Sequence, residues 1–480
     1  MANFNLKITD NGNYKEHLSN KVFKVVSEIL EEKNQEGYAI GGFTRDTLLQ
    51  RNCKDIDIVV VGSGIELAEE TAKRLGGLKT SFFKNFGTAM FKYEDLDVEF
   101  VGARKESYDR NSRKPIVEDG TLQDDQNRRD FTINALAFSL NKSTFGDLID
   151  PFNGVEDLKK GKIQTPLDPD ITYSDDPLRM MRAIRFATQL GYKIEKNSFD
   201  SIIKNKDRIK IISKERIIDE INKIMLSKKP SKGLNMLFEA GLLEIIFPEL
   251  YAMHGVEIIE GIGHKDNFYH TIKVVDQTAE RSNNLWLRWA ALMHDIAKPK
   301  TKRFVDGTGW TFHGHEDLGG RLVPKLFKKL KLPLDHKMKY VQKIVSLHHR
   351  PVALTNGKAT DSAIRRLVFD AGDDLDDLIT FCECDITTKN KEKHKKFLAN
   401  FAAVRKRIKE VEERDNIRNM QPPISGEEIM ETFNLKPCRE IGTIKSAIKD
   451  AILDGAIPNE YNAAKEFMLQ KGKELGLTPQ

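Results

Sequence analysis

The chain has 480 residues, 31% of them charged and 39% hydrophobic, with 77 Lys and Arg against 72 Asp and Glu. That length is too great for one ordinary core and predicts about three domains, while a net charge of +5 neither demands nor excludes nucleic acid. The most apolar stretch near the N-terminus, Ile56 to Val61 with Asp57 inside it, is strand-sized and far short of a membrane span.

Residues 1–20 lack the basic-then-apolar pattern of a signal peptide. The four cysteines, Cys53, Cys382, Cys384 and Cys438, are scattered without a CxxC pair, which excludes a disulfide framework and predicts a cytoplasmic protein. Residues 20–35 read as an opening helix, followed by the strand YAIGG, a glycine turn and a short helix near Arg45. KDIDIVVVG is a strand by its β-branched alternation. Residues 65–76 look helical, and two further strands follow at GTAMFKY and LDVEFVG. The α/β region is expected over 20–150. Beyond Ser174 strand signals nearly vanish, and helical segments are expected over 151–250, 251–388 and 389–480. Residues 389–418 concentrate Lys and Arg on one long helix, suited to phosphates or to solvent. Pro422-Pro423 breaks the chain before a last module, where Ser425 and Glu428 are spaced as a capping box.

Asp55 and Asp57 lie two apart on a predicted strand, so both carboxylates share a face while Ile56 and Ile58 turn to the core. Adjacent anions repel unless a cation lies between them, and Mg²⁺ favours such oxygens while leaving room for water and phosphates. Upstream, Gly41 and Gly42 end a strand and let backbone approach a phosphate, and Arg45 and Asp46 open a helix whose N-terminus favours anions. Downstream, DVEFVGAR carries Glu99, a third carboxylate that would complete a two-metal site for phosphoryl transfer. Asp97, on the same face, is the alternative.

The series GGxxRD, DxD, RRDFTINALA, DPFNGVEDL and DDPLRMMRAIRFA, in that order over residues 38–226, resembles the class II tRNA nucleotidyltransferase and bacterial poly(A) polymerase family. The resemblance implies a polymerase-beta-like α/β nucleotidyltransferase head, a helical neck, and ATP and CTP as substrates for building a tRNA 3′ end. It places Arg128, Arg129 and Asp130 against the incoming nucleotide, with the aspartate on the ribose hydroxyl. Arginine forks suit phosphates, although a salt-bridge cluster is the plainer alternative.

The stretch SDDPLRMMRAIRFATQLG is expected to begin a helix capped by Ser174 and stopped by Gly191. Asp176 and Arg179, three apart, could read the Watson–Crick edges of C and A, or pair with each other. They match the family's EDxxR templating pair, with Asp175 in place of glutamate. Arg182, on the same helix, joins the nucleotide-binding candidates. The polar stretch from Arg104 to Asp125 corresponds to a flexible loop that the family associates with the final A. Glu215 and Arg216 match the ERxxxE pattern of the neck and are expected to support the pocket.

His294-Asp295, with His270, His315, His348 and Asp385, gives the order H…HD…H…H…D over about residues 265–385. Histidine with carboxylate suits Mn²⁺, Fe²⁺ or Ni²⁺. The pattern resembles the HD metal-dependent phosphohydrolase domain, which implies hydrolysis of phosphate esters. The six candidates could serve one ion or two, with His313 and His349 as alternatives to His315 and His348, while His264 is expected to be structural. The C-terminal module resembles the RNA-binding tail of HD-containing members, with Lys436, Arg439, Lys445 and Lys449 as candidate phosphate contacts. The leading expectation is CCA addition to tRNA. Its rivals are poly(A) polymerase, an HD phosphohydrolase with a nucleotide-sensing head, and a pure RNA-binding protein.

Overall fold

The computed structural model describes residues 12–83, 87–108, 115–355, 360–388, 390–415, 418 and 420–480. The chain divides into two compact units, residues 1–248 and 249–480.

In the first unit, α1 (Lys21–Glu32) starts where the Asn20 side chain accepts from the Val22 amide, and it buries Val22, Phe23, Val26, Ile29 and Leu30. Next come β1 (Gly37–Ile40), α2 (Gly42–Leu48), β2 (Asp55–Val60), α3 (Gly64–Arg74), β3 (Thr80–Phe83), β4 (Thr88–Tyr93) and β5 (Leu96–Gly102). A hairpin of β6 (Arg104–Tyr108) and β7 (Pro115–Asp119) leads into α4 (Leu122–Asn127), β8 (Ala137–Ser139) and β9 (Leu148–Ile149). The polar stretch expected as a loop over 104–125 is therefore largely a hairpin and a helix start; its residues 109–114 lie outside the described residues. Polar side chains gave no apolar alternation there, but backbone pairing formed the ladder regardless.

One seven-stranded sheet has the order β3-β4-β5-β2-β1-β8-β9. Within it, β2 and β5 run parallel and the other neighbours antiparallel. Ile56, Ile58, Val98 and Phe100 are fully buried, and α3 packs against β4 and β5. Along β2 the face of Asp55 and Asp57 continues to Val59, which Tyr38, Ile40, Ala103 and Ala137 cover. The carboxylates thus stand at the uncovered end of their strand.

The helical part of this unit comprises α5 (Gly154–Lys160), α6 (Pro169–Asp175), α7 (Leu178–Leu190), α8 (Lys196–Asn205), α9 (Lys214–Met225), α10 (Pro230–Glu239) and α11 (Leu242–Ile246). It also holds a short parallel pair, β10 (Lys162–Ile163) with β11 (Lys193–Ile194), where an all-helical segment was expected. The predicted stripe Met180, Ala183, Ile184, Ala187 and Leu190 is buried on α7, and Gly191 ends that helix at φ +74°. Ser174 is not its cap. It sits in the last turn of α6, and Asp176 breaks the run in an extended conformation because Pro177 follows it.

The second unit begins within α12 (Pro248–Tyr251). It is helical apart from two small hairpins, β12 (Ile258–Ile259) with β13 (Ile262–Gly263) and β14 (Arg303–Val305) with β15 (Gly309–Thr311). Its helices are α13 (Asn267–Arg281), α14 (Leu285–Met293), α15 (Lys298–Thr301), α16 (His315–Leu330), α17 (His336–Leu347), α18 (His349–Leu354), α19 (Asp361–Ala371) and α20 (Leu375–Cys384). α14 is buried from Leu287 to Met293 and packs on α13 and α17. α21 (Lys391–Asp415) is the basic helix, yet it is not solvated all round. Phe401, Val404, Ile408 and Val411 form a buried stripe, and the helix packs on α18, α19 and α20. α22 (Gly426–Phe433), α23 (Arg439–Asp454) and α24 (Tyr461–Glu474) complete the chain. Ser425 caps α22 at the Glu428 amide, but the Glu428 carboxylate accepts from the Tyr461 hydroxyl, so the expected capping box forms by half.

Candidate functional site

The parallel register of β2 and β5 sets Asp55 beside Asp97 and Asp57 beside Glu99. Burial pushes the Glu99 carboxyl above its usual range, and the neighbouring Asp57 pushes it further. Asp57 is likewise raised, by burial first; Arg129 opposes the shift, while Asp55 and Asp125 add to it. Asp97 instead lies 3.9 Å from Lys92 of β4. Carboxylates crowded in this way fit a hard cation shared between them. Gly41 turns the chain from β1 into α2 at φ +79°. A Cβ there would fall 2.9 Å from Arg129 Nη1 and 3.3 Å from Asp57 Oδ2, so only glycine leaves this approach open. A Cβ on Gly42 would have room, with Arg45 Nη2 3.8 Å away.

Arg45 is buried and fully engaged. Its Nε and Nη2 donate to the two oxygens of Asp46 at 3.0 and 2.8 Å, and Nη1 donates to Asn134 Oδ1 at 2.7 Å. Arg128 and Arg129 both donate to Asp125, a fully buried carboxylate that sequence reasoning passed over. Burial alone would raise Asp125, but Arg129 and Arg128 hold it below the usual range. Asp130 accepts three hydrogen bonds, from the Phe131 amide at 2.9 Å, Asn134 Nδ2 at 2.9 Å and Arg182 Nε at 2.7 Å, and Arg182 Nη2 forms an ion pair with it at 2.6 Å. Burial works against its ionisation, yet Arg182 and Asn134 bring it down to about 2. Arg182 and Arg185 both stand over the Phe186 ring, and Arg185 pairs with buried Glu220 at 2.5 Å. Glu220 is the closing glutamate of the ERxxxE pattern.

Asp176 Oδ1 accepts from the Leu178 amide at 3.1 Å, so the aspartate caps α7 from the kink before it. Arg179 does not pair with it. Its Nη2 donates to the Arg128 carbonyl at 2.5 Å and its Nη1 to the Thr172 carbonyl at 3.4 Å. The two side chains are therefore held by backbone, separately, next to the Arg128–Asp130 segment. Asp175 is pushed up by burial, against the pull of Arg179 and Arg208.

In the second unit, His270, His294, Asp295, His315, His348 and Asp385 converge. His294 Nε2 lies 3.1 Å from Asp295 Oδ2 and 3.5 Å from Asp385 Oδ1, and His270 Nε2 lies 3.0 Å from the same Asp385 oxygen. The Nδ1 atoms of His294, His315 and His348 face the carbonyls of Ala291, Phe312 and Val345 at 2.8, 2.8 and 2.6 Å. Those carbonyls take the Nδ1 protons and turn each Nε2 inward as a ligand atom. Among the described residues, Nε2 of His294, His315 and His348, both Asp295 oxygens and Asp385 Oδ1 are buried without a hydrogen-bond partner. Six polar atoms aimed at one another and unsatisfied fit a divalent cation. Facing Asp295 and Asp385 holds the His294 imidazole up to about 10, although burial works against it. His313 is exposed and takes no part, whereas His349 packs with both His315 and His348, so it is an addition and not a substitute for His348. His264 bonds to the Lys265 carbonyl and packs on Trp310 and Phe312. A cavity of about 320 Å³ beside the cluster is lined by His270, Asp385, Lys298, Lys265, Phe397 and Phe401 among others.

Three family models match the chain: "Poly A polymerase head domain" over residues 37–164, "Probable RNA and SrmB- binding site of polymerase A" over 191–253, and "HD domain" over 267–378. A "Multifunctional CCA protein" of Shewanella frigidimarina is 30% identical over 372 residues, 73% of this chain and 83% of that protein. The chain belongs to the tRNA nucleotidyltransferase family.

An "A-adding tRNA nucleotidyltransferase" of Aquifex aeolicus is 36% identical over 280 residues, 56% of this chain; the match spans about a third (32%) of that longer protein. A crystal structure of a tRNA nucleotidyltransferase complexed with a primer tRNA and an incoming ATP analog has a TM-score of 0.56 and 25% identity, covering 79% of this chain and 98% of that one. In this member of the tRNA nucleotidyltransferase family, the head strands and the HD helices supply the groups that sequence motifs singled out. Asp125 and Asn134, which hold the motif arginines, had no signal beyond lying inside and beside RRDFTINALA. Lys436, Arg439 and Lys445 are exposed, and Lys449 stands over the Phe369 ring.

Proposed function

We propose that this enzyme adds C, C and A to the 3′ end of tRNA, using CTP and ATP, and that it does so in the cytoplasm. The observation that carries this reading is Asp57 facing Glu99 across the β2–β5 register, with Asp55 on the same face and Gly41 against Asp57. Asp55, Asp57 and Glu99 would hold the Mg²⁺ ions. When bound, these supply Lewis acidity to the attacking 3′-hydroxyl and the triphosphate.

The remaining work falls to the chain's own side chains. Gly41 leaves room for a phosphate beside Asp57. Arg129, beside Asp57 and pinned by Asp125, presents positive charge toward that space and Arg128 extends it, while Arg45, bidentate on Asp46, fixes the start of α2 beside it. Asp130, ionised at any working pH, offers a carboxylate next to Arg182 for a sugar hydroxyl. Asp176 and Arg179, held apart by separate backbone contacts, are free to meet a base edge instead of each other.

The HD cluster is read as a phosphohydrolase centre for phosphate esters, with a transition metal such as Mn²⁺, Fe²⁺ or Ni²⁺. Its convergent, unsatisfied Nε2 and carboxylate atoms support that reading. Lys298, 2.7 Å from Asp295 and at the cavity wall, is placed to meet an ester oxygen.

A second reading for the head, addition of A alone, is favoured by the name of the Aquifex aeolicus relative. One experiment separates them. The full chain with Mg²⁺ is given three tRNAs, ending at the discriminator base, at C and at CC, with CTP and ATP singly and together. CTP incorporation on the first two and a stop at CCA supports the leading proposal. ATP incorporation only on the CC-ended tRNA supports the second, and open-ended A tailing supports a poly(A) polymerase. Incorporation that survives Asp55→Ala with Asp57→Ala refutes the assigned chemistry. Phosphatase activity that persists in His294→Ala refutes the HD assignment.

A further inference from the structure

Asp176 and Arg179 flank the break between α6 and α7, and backbone pairing alone holds that break poorly. α6 has seven residues, so the carbonyls of its last turn lack intrahelical partners. Pro177, just beyond the break, has no N–H to offer them. Two arginines fill the gap. Arg179 Nη1 donates to the Thr172 carbonyl at 3.4 Å, and Arg208 Nε donates to the Ser174 carbonyl at 3.0 Å. Arg208 belongs to the 3-10 turn Lys206–Ile211 that follows α8, between SDDPLRMMRAIRFATQLG and the ERxxxE pattern.

α8 and this turn splint α6 along its length. At its start Asp170 accepts from Ser201 Oγ at 2.5 Å, from Asn205 Nδ2 at 3.4 Å and from Lys204. Midway, the Tyr173 and Ser198 hydroxyls share a hydrogen bond at 2.5 Å. Of these contacts, only that of Arg208 reaches the last two residues of α6. Its guanidinium also joins Arg179 in opposing the upward push of burial on Asp175. The two arginines differ in what they can release. The 3.4 Å contact to Thr172 is long, and it yields readily when a base edge competes for Arg179 Nη1.

We propose that Arg208 is a positioning residue for base selection. Its Nε holds the Ser174 carbonyl, and with it the break that sets Asp176, while Arg179 leaves the Thr172 carbonyl for the base. A reader fixed at Ser174 meets every base at one depth, where a matched edge bonds and a mismatched one sets donor against donor. The inference rests on reading Asp176 and Arg179 as the base-reading pair.

The test measures kcat and KM of the full chain with Mg²⁺ for CTP against UTP and for ATP against GTP, each on the tRNA end that accepts the correct nucleotide. Arg208→Gln sets an amide nitrogen, and Arg208→Met a methyl, where arginine holds Nε. The Met variant should raise KM for the correct nucleotide and lower discrimination by about tenfold each, with kcat within about twofold. The Gln variant, neutral but still a donor, should restore discrimination to within about threefold of wild type. Arg208→Lys, whose ammonium lies one bond farther out, should fall between them and carries the test if Met disturbs folding. Asp170→Ala loosens the start of α6 only; it should lower the thermal midpoint by circular dichroism and leave discrimination unchanged. Asp176→Ala and Arg179→Ala separate the two claims. Wild-type discrimination in both of these refutes the base-reading pair, and the role of Arg208 falls with it. If they lose discrimination, the role of Arg208 alone is overturned by any of three results: wild-type discrimination in the Met and Lys variants, no rescue by Gln, or an equal loss in Asp170→Ala.

Discussion

Replacing Asp130 with Asn tests whether the buried network around the RRD motif rests on charge. The carboxylate is held from 3.8 down to about 2, chiefly by Arg182 working against burial. At about 1.4 kcal/mol per pH unit, that depression stabilises the folded head by about 2–3 kcal/mol at neutral pH. Asn keeps the shape but removes the charge. It also points an NH₂ group at Arg182 or at Asn134 Nδ2, so the loss should be at least this large. A depressed pKa contributes fully above the unfolded value and fades as pH falls through the folded one. The difference between wild type and Asp130→Asn should therefore be constant above about pH 5, lose roughly half of its charge-dependent part by pH 3, and level off below about pH 2 at the pH-independent cost of the misdirected NH₂. All three tryptophans, at positions 286, 289 and 310, lie in the second unit and do not report on the head. Hydrogen exchange in peptides covering β8 and α7 does report on it, and should quicken by roughly 30- to 150-fold at pH 7, the same free energy expressed as a rate. A change of less than about fivefold at pH 7, or a difference that does not shrink in acid, would refute an ionised Asp130 as the stabilising group.

Gly41→Ala places a Cβ 2.9 Å from Arg129 Nη1 at a positive φ. It should destabilise the head by about 1–2 kcal/mol and cut nucleotide incorporation by more than that loss of folded protein explains, read by single-turnover assay. Glu220→Ala leaves Arg185 buried without its partner, and urea unfolding followed by circular dichroism should show a loss of about 3–5 kcal/mol. Gly472→Ala drives a methyl to 2.2 Å from the Phe433 ring between α24 and α22. Overpacking of this kind should cost about 1–3 kcal/mol in thermal unfolding while leaving incorporation of a single nucleotide by the head unchanged.

Local periodicity was enough to place Asp55 and Asp57 on one face of β2, to mark the buried stripe of α7, and to stop that helix at Gly191. Each of these depends on neighbours a few residues apart, and side-chain direction repeats every two residues in a strand or about every 3.6 in a helix. The linked motifs carried the family, and the order of histidines carried the HD resemblance. The same periodicity left Asp97 and Glu99 equivalent, because both lie on one face. The parallel register with β2 sets Glu99 beside the buried Asp57 and Asp97 beside Asp55, with Lys92 3.9 Å from Asp97. The α7 start was misplaced because Ser174 has the chemistry of a cap, whereas Pro177 moves the break three residues on. Asp125 gave no signal, since its meaning lies in two arginines folded back onto it in a site closed to water. His349 looked like a substitute for His348 until tertiary packing brought both against His315. Sequence determined which groups are available and which face each occupies; long-range pairing and burial decided which of them meet.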